Sequence, residues 1–312
     1  MHDDEPTERD RLRAERDALL AECAQLRANL AAASPGDLWV PPGHYYSPIP
    51  SLQQVGQHED RIFAAPPRTL PGIDLREAEQ LQLLDSLGAF YDEMPWGARP
   101  RPGLLYHYDN TAFSYPDAIM LHGMLRHVRP ARVVEAGSDW STLLMLDSNR
   151  AFFGDRIAIT AIDPAPATLP RVLRPEDHDR GTLLTVGLQD APLETFTALQ
   201  PGDILFIDST HVCKVDSDVN RLLFEILPAL APGVIVHFHD VFYPFEYPRQ
   251  WVLENRAWNE AYVLRAFLQY NVAFAIVLFG SFLQQFHRER LQQRMPAFLR
   301  GDAGSLWLRK LG

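Results

Sequence analysis

Two short apolar runs, residues 204–207 and 234–236, end in side chains that can move protons or hold a cation. The first leads into Asp208-Ser209-Thr210-His211 and the second into His237-Phe238-His239-Asp240. Histidine exchanges a proton near neutral pH, so an imidazole here is a candidate general base. Carboxylates together with an imidazole also suit a hard divalent ion, which lowers the pKa of a hydroxyl held against it. Several of these residues have plainer readings. Asp208 could cap the helix that follows, Asp216 and Asp218 read as capping or solvated acids, and His237 reads as a core histidine. His237 lies two residues before His239, on the same face of a strand.

The elements that must position these groups can be read from the flanking sequence. Each run follows a glycine-bearing turn, Pro201-Gly202-Asp203 or Pro232-Gly233. Near-continuous apolar runs of this length are strands buried on both faces, as in a parallel sheet. Residues 216–230 can form the crossover helix between them. Further strands are predicted to begin at Val133-Val134 and to span 157–162, 182–186, 274–279 and 305–308. Helices are predicted over 75–90 (with Asp74 as N-cap), 114–128, 141–149 and 259–269. Alternation of this kind predicts a doubly wound, mostly parallel α/β sheet with right-handed crossovers. In such sheets ligands bind beyond the carboxyl ends of the strands, which is where the acids and histidines fall.

A second constellation sits at the earlier strand ends. In Glu135-Ala136-Gly137-Ser138-Asp139-Trp140-Ser141-Thr142 a strand passes through a tight turn into a helix. Gly137 permits close approach of a ligand to the backbone, and Ser141 or Thr142 could cap the helix. Asp163 ends the next strand, where an acid can take the two hydroxyls of a ribose. Gln189-Asp190 follows the third strand, where an adenine edge would be met. Phe113 and Tyr115 could cover a cofactor or serve as core. Glu246, Tyr247, Trp251 and Trp258 could line a substrate pocket or pack a long loop.

Taken together, these features resemble the class I S-adenosylmethionine-dependent methyltransferases over roughly residues 103–312. Glu135 to Ser138 is similar to that family's first motif, Asp163 to its ribose-binding acid and Gln189-Asp190 to its adenine-side position. The strand pair 274–279 and 305–308 is similar to its antiparallel edge hairpin, giving a seven-stranded Rossmann-like sheet. The two rim motifs resemble more narrowly a bacterial subgroup of small-molecule and sugar O-methyltransferases. So do Tyr108-Asp109-Asn110, Phe113-Ser114-Tyr115 and residues 244–248. The resemblance implies S-adenosylmethionine as cofactor, bound by Glu135, Gly137, Ser138, Asp139, Ser141, Thr142, Asp163, Gln189, Asp190 and Asp208, with Phe113 and Tyr115 as cover. It implies O-methylation of a hydroxyl on a sugar or natural-product substrate. Asp208, His239 and Asp240 fall where metal-dependent catechol-type relatives carry their ligands, so Mg²⁺ or Mn²⁺ is implied there. His211 is then the candidate base, with His239 second and Asp208 beside them. Where the family has a second glycine this chain has Asp139. Three readings follow: a side chain turned outward, weakened cofactor binding, or a methyltransferase fold that has lost methyl transfer and serves as a pseudo-enzyme, a non-methylating enzyme or an assembly partner.

The remainder of the chain is of another kind. Leu12, Leu19 and Leu26 recur at heptad spacing within a charged stretch, so residues 1–33 are expected to carry a helix, either packed on its own domain or joining chains as a short coiled coil. Arg16 and Cys23 interrupt the seam. Residues 34–102 are proline-rich with interspersed aromatics (Trp39, Tyr45, Tyr46, Phe63) and read as a linker and helical cover. The 312 residues allow a sizeable core. A net charge of −11 argues against nucleic-acid binding. Two cysteines, a charged start and no apolar run near ~20 residues lead to the expectation of a cytoplasmic protein without disulfides or membrane spans.

Overall fold

Seven strands alternate with helices along most of the chain, and in the computed structural model they form one sheet. The structure describes residues 12, 16, 19, 20, 22, 23, 39–173, 177 and 180–312. It divides into two units, residues 1–57 and 58–312. In the first unit, Leu12, Leu19 and Leu20 are helical and exposed, and a short helix spans Leu52–Gln57. The rest of the expected coiled-coil segment lies outside the described residues. Among the described residues, no helix is long and apolar enough to cross a membrane.

The strand order is β3-β2-β1-β4-β5-β7-β6. Strands β1 (Arg132–Ala136), β2 (Ala158–Ile162), β3 (Thr182–Leu184), β4 (Ile204–Ile207) and β5 (Ile235–Phe238) run parallel. Strand β7 (Leu306–Lys310) enters antiparallel between β5 and β6 (Phe274–Phe279). All four residues of β4 and of β5 are buried, as expected of strands covered on both faces. The order reverses between β1 and β4, which opens a crevice at their carboxyl ends.

Residues 58–102, read above as linker and cover, belong to the same compact unit as the sheet. Helix α1 (Glu77–Gly88) buries Leu84 and Leu87 and packs along β6 and α2 (Tyr115–Val128). Its buried Gln80 donates to the Leu75 carbonyl and accepts from the Phe279 N–H at the sheet edge. Arg76, in left-handed backbone, occupies the N-cap position expected for Asp74. The Asp74 carboxylate instead accepts from the Arg76 N–H, because the helix starts two residues later than read. Asp147, on α3 (Trp140–Ser148), anchors the proline-rich cover: one oxygen accepts from Trp96 Nε1 and from the Leu105 and Tyr106 N–H groups.

Candidate active site

Gly137 ends the β1 turn with φ 114°, and a Cβ there would lie 2.2 Å from the Asp208 carbonyl oxygen. Glycine is therefore required both by conformation and by space. The Gly137 N–H donates to Ile162 and the Asp208 N–H to Ala136, which ties the ends of β1, β2 and β4 together. A crevice of about 520 Å³ opens above them, lined by Gly137, Asp163, Gln189, Asp190 and Asp208 among others. Ser138 Oγ donates to Asp163 Oδ2 at 2.7 Å, and the Ala165 N–H donates to Oδ1, so the acid is held in place. Gln189 Nε2 donates to the Asp216 carbonyl across the mouth.

Three expectations for this region need correction. Ser141 and Thr142 do not cap α3; their hydroxyls both donate to the Glu135 carboxylate beneath the turn. Burial drives the Glu135 pKa up to about 8, against the lowering effect of those two hydroxyls. Phe113 and Tyr115 do not line the crevice. Phe113 is buried against Phe206 and His239, and Tyr115 stacks on Tyr108. Asp139, the N-cap residue of α3, does not line the crevice. Its Oδ1 is buried without a hydrogen-bond partner, and burial raises its pKa.

At the other end of the crevice the sheet gathers Asp208, His211 and Asp240, with one ligating atom from each within 4.8 Å of the others. His211 Nε2 lies 3.5 Å from Asp208 Oδ1 and 3.8 Å from Asp240 Oδ2. His211 and Asp240 both have positive φ, 59° and 56°, an uncommon backbone for such residues that is held here by the surrounding loops. His211 Nδ1 lies 2.9 Å from Glu260 Oε2, and Trp258 packs on the ring at 4.4 Å. Burial opposes charge on His211, but the Asp208 and Glu260 carboxylates outweigh it and raise the pKa to about 10.

Glu260, in the first turn of α4 (Glu260–Leu268), was not singled out from sequence. It is buried, on the helix face that carries Leu264 and Leu268. An acid four and eight residues before core leucines is the signal that could have identified it. Asp117, on α2, is also buried and was missed; it accepts from the Gly304 N–H and from Ser305 Oγ.

His239 takes a different position from His211. Its Nε2 is 3.5 Å from Asp240 Oδ1, while Nδ1 has no hydrogen-bond partner among the described residues. His237 is core, as read: it is the cross-strand neighbour of Phe206 on β4 and Trp307 on β7, and its ring stacks between them. Neither of its nitrogens is hydrogen-bonded, and burial keeps it neutral. Beyond His211, Trp258 meets Trp251 and Tyr247 edge-on, and the Tyr247 hydroxyl accepts from the Ala261 N–H. The aromatic residues read as pocket walls thus stand beside the acid and imidazole group.

Residues 134–241 match a methyltransferase domain family. An uncharacterized protein of Archaeoglobus fulgidus is 35% identical over 171 residues, which cover 53% of this chain and 75% of that protein. Among solved structures, similarity is found to an O-methyltransferase from Bacillus cereus in complex with SAH (12% identity, TM-score 0.37, 82% of this chain and 97% of that one). A methyltransferase from Geobacter sulfurreducens is similar at 16% identity and TM-score 0.36, over 78% of this chain and 100% of that one. The chain belongs to one family with the Archaeoglobus protein, and its sheet, glycine turn and strand order are those of the class I S-adenosylmethionine-dependent methyltransferase fold.

Proposed function

We propose that this protein is an S-adenosylmethionine-dependent O-methyltransferase acting on a small, polar hydroxyl substrate, with a sugar or sugar-bearing natural product as the leading class. One observation carries the reading: Asp208 lines the nucleoside-sized crevice and also belongs to the acid and imidazole group at its end. A donor seated in the crevice would meet an acceptor next to groups able to take its proton.

The residues fit the cofactor in chemical terms. Asp163, held by Ser138, offers a carboxylate to ribose hydroxyls, and Gln189 and Asp190 flank the adenine side. Gly137 leaves its backbone open to close approach. When bound, the cofactor would supply an electrophilic methyl group. The protein's part is to orient the hydroxyl, exclude water and remove the proton as attack proceeds, since a neutral alcohol is a weak nucleophile. The aromatic wall of Trp251, Trp258 and Tyr247 is suited to the flat face of a sugar or an aromatic ring. Asp208 and Asp240 are the carboxylates that would hold Mg²⁺ or Mn²⁺, which would lower the pKa of the acceptor hydroxyl.

Titration calorimetry with S-adenosylmethionine and S-adenosylhomocysteine, with and without Mg²⁺, tests the reading. Micromolar binding of both supports it, and the absence of binding to either rejects it. A panel of hydroxylated acceptors, assayed for transfer of labelled methyl, then identifies the substrate class.

A further inference from the structure

The reading above leaves open which imidazole joins the two rim aspartates. We infer that Asp208, His211 and Asp240 form a divalent-cation site in which His211 binds through Nε2, and that Glu260 is the residue that aims the ring. The inference rests on the proposed function only for the use of the ion; the site itself stands on geometry.

The separations are the first argument. At 3.5 and 3.8 Å, His211 Nε2 is too far from Asp208 and Asp240 for good hydrogen bonds. Two ligands each about 2.1 Å from one ion lie about 3 Å apart at a right angle and about 4.2 Å apart in line. Both observed separations fall inside that interval. With one ligating atom of each side chain within 4.8 Å of the other two, the group leaves room for a single ion between them.

Orientation is the second argument. A histidine that ligates through one nitrogen nearly always donates its other N–H to a carboxylate, carbonyl or water. Glu260 Oε2, 2.9 Å from His211 Nδ1, supplies that carboxylate. The two residues are joined through the backbone as well: the His211 carbonyl accepts from the Asn259 and Glu260 N–H groups. Trp258 covers the ring face, so the imidazole is fixed from its edge, its face and its own main chain. His239 has no such support, because its Nδ1 is without a partner and its ring leans on Phe113.

Charge balance is the third. Asp208, Asp240, Glu260 and Asp117 face the imidazoles of His211 and His239; Glu260 and Asp117 are buried, and Asp208 and Asp240 partly so. Carboxylates gathered away from water need compensating positive charge, which a divalent ion provides.

Mn²⁺ binding to the full chain tests the inference, read by calorimetry and by the nitrogen modulation in pulsed EPR. The wild type is expected to bind one Mn²⁺ with imidazole nitrogen coupling. His211→Ala should abolish the coupling and weaken binding at least tenfold, while His239→Ala keeps both. Glu260→Ala should weaken Mn²⁺ binding about 10- to 100-fold, and Glu260→Gln, which retains an acceptor, should recover most of it. Should Glu260→Ala fail to fold, Glu260→Asp withdraws the acceptor by one methylene and repeats the test. The inference is overturned if His239→Ala removes the coupling and His211→Ala does not. It is also overturned if the wild type binds S-adenosylhomocysteine but no Mn²⁺, an outcome that leaves the methyltransferase reading standing. Mn²⁺ binding with no cofactor binding would uphold the cation site and remove the reading above.

Discussion

The carbonyl oxygen of Asp208 occupies the space that a side chain on Gly137 would need, with 2.2 Å between that oxygen and a built Cβ. The glycine turn and the rim acid are thus one packed unit. Gly137→Ala forces the β1 and β4 ends apart and places a Cβ at φ 114°. It should destabilise the fold by about 1–3 kcal/mol and remove cofactor binding. Thermal melting together with S-adenosylhomocysteine calorimetry checks both parts; an alanine variant with wild-type affinity would refute the argument.

Asp163 is held at the crevice by hydrogen bonds from Ser138 Oγ and the Ala165 N–H. Asp163→Ala removes a charged acceptor, which is worth about 1.5–3 kcal/mol for such hydrogen bonds. Affinity for S-adenosylhomocysteine should fall about 10- to 100-fold, since each 1.4 kcal/mol is a factor of ten. The melting temperature should change little, because the carboxylate is only half-buried.

Asp147 accepts from three donors with a single buried oxygen. Asp147→Ala strands the Trp96 indole N–H and two backbone N–H groups away from water. The expected loss is about 3–5 kcal/mol, since each buried donor left without an acceptor costs about 1–3 kcal/mol. Urea unfolding measures it, and limited proteolysis should show cleavage within the proline-rich cover before the sheet.

Glu135 carries a folded-state pKa of about 8 against an ordinary value of 4.5, chiefly through burial. The folded protein therefore binds more protons than the unfolded chain between those two values. Stability from this group is fully present below about pH 4.5 and is lost as pH rises through about 8. Glu135→Gln should flatten that part of the stability–pH curve, a slope approaching ~1.4 kcal/mol per pH unit for one proton. Urea midpoints from pH 5 to 8 for wild type and variant provide the test.

His122 works in the opposite direction. Its ring is buried between Trp96 and Phe152 with neither nitrogen hydrogen-bonded, and burial lowers its pKa to about 3. Stability from this group is present above the unfolded value of 6.5 and is lost as pH falls toward about 3. His122→Leu should make the protein less sensitive to acid between pH 6.5 and 4 in the same unfolding series.

The strands and the residues at their ends were legible because a buried parallel strand leaves a local trace: an apolar run bounded by a glycine turn. Asp208, His211, Asp240, Gly137 and Asp163 all lie within a few residues of such a run. Glu260, Asp117 and Asp147 lie inside helices, where one acid among alternating faces looks like surface charge. Their partners are 49, 187 or 188, and 41 to 51 residues away. The misplaced caps have the same origin. Ser141 and Thr142 have the composition of a cap, but a buried carboxylate across the turn competes for their hydroxyls and wins. Which histidine stands nearer the aspartates depended on the left-handed backbone at His211, which sequence did not reveal.

Strand β7 carries a consequence for synthesis. It is the last strand along the chain, yet it lies between β5 and β6 rather than at an edge. Until residues 306–310 leave the ribosome, β5 and β6 stand with open hydrogen-bonding edges. The nascent chain must therefore hold an unfinished, sticky sheet until β7 emerges. A chain lacking residues 306–310 should aggregate rather than complete the fold.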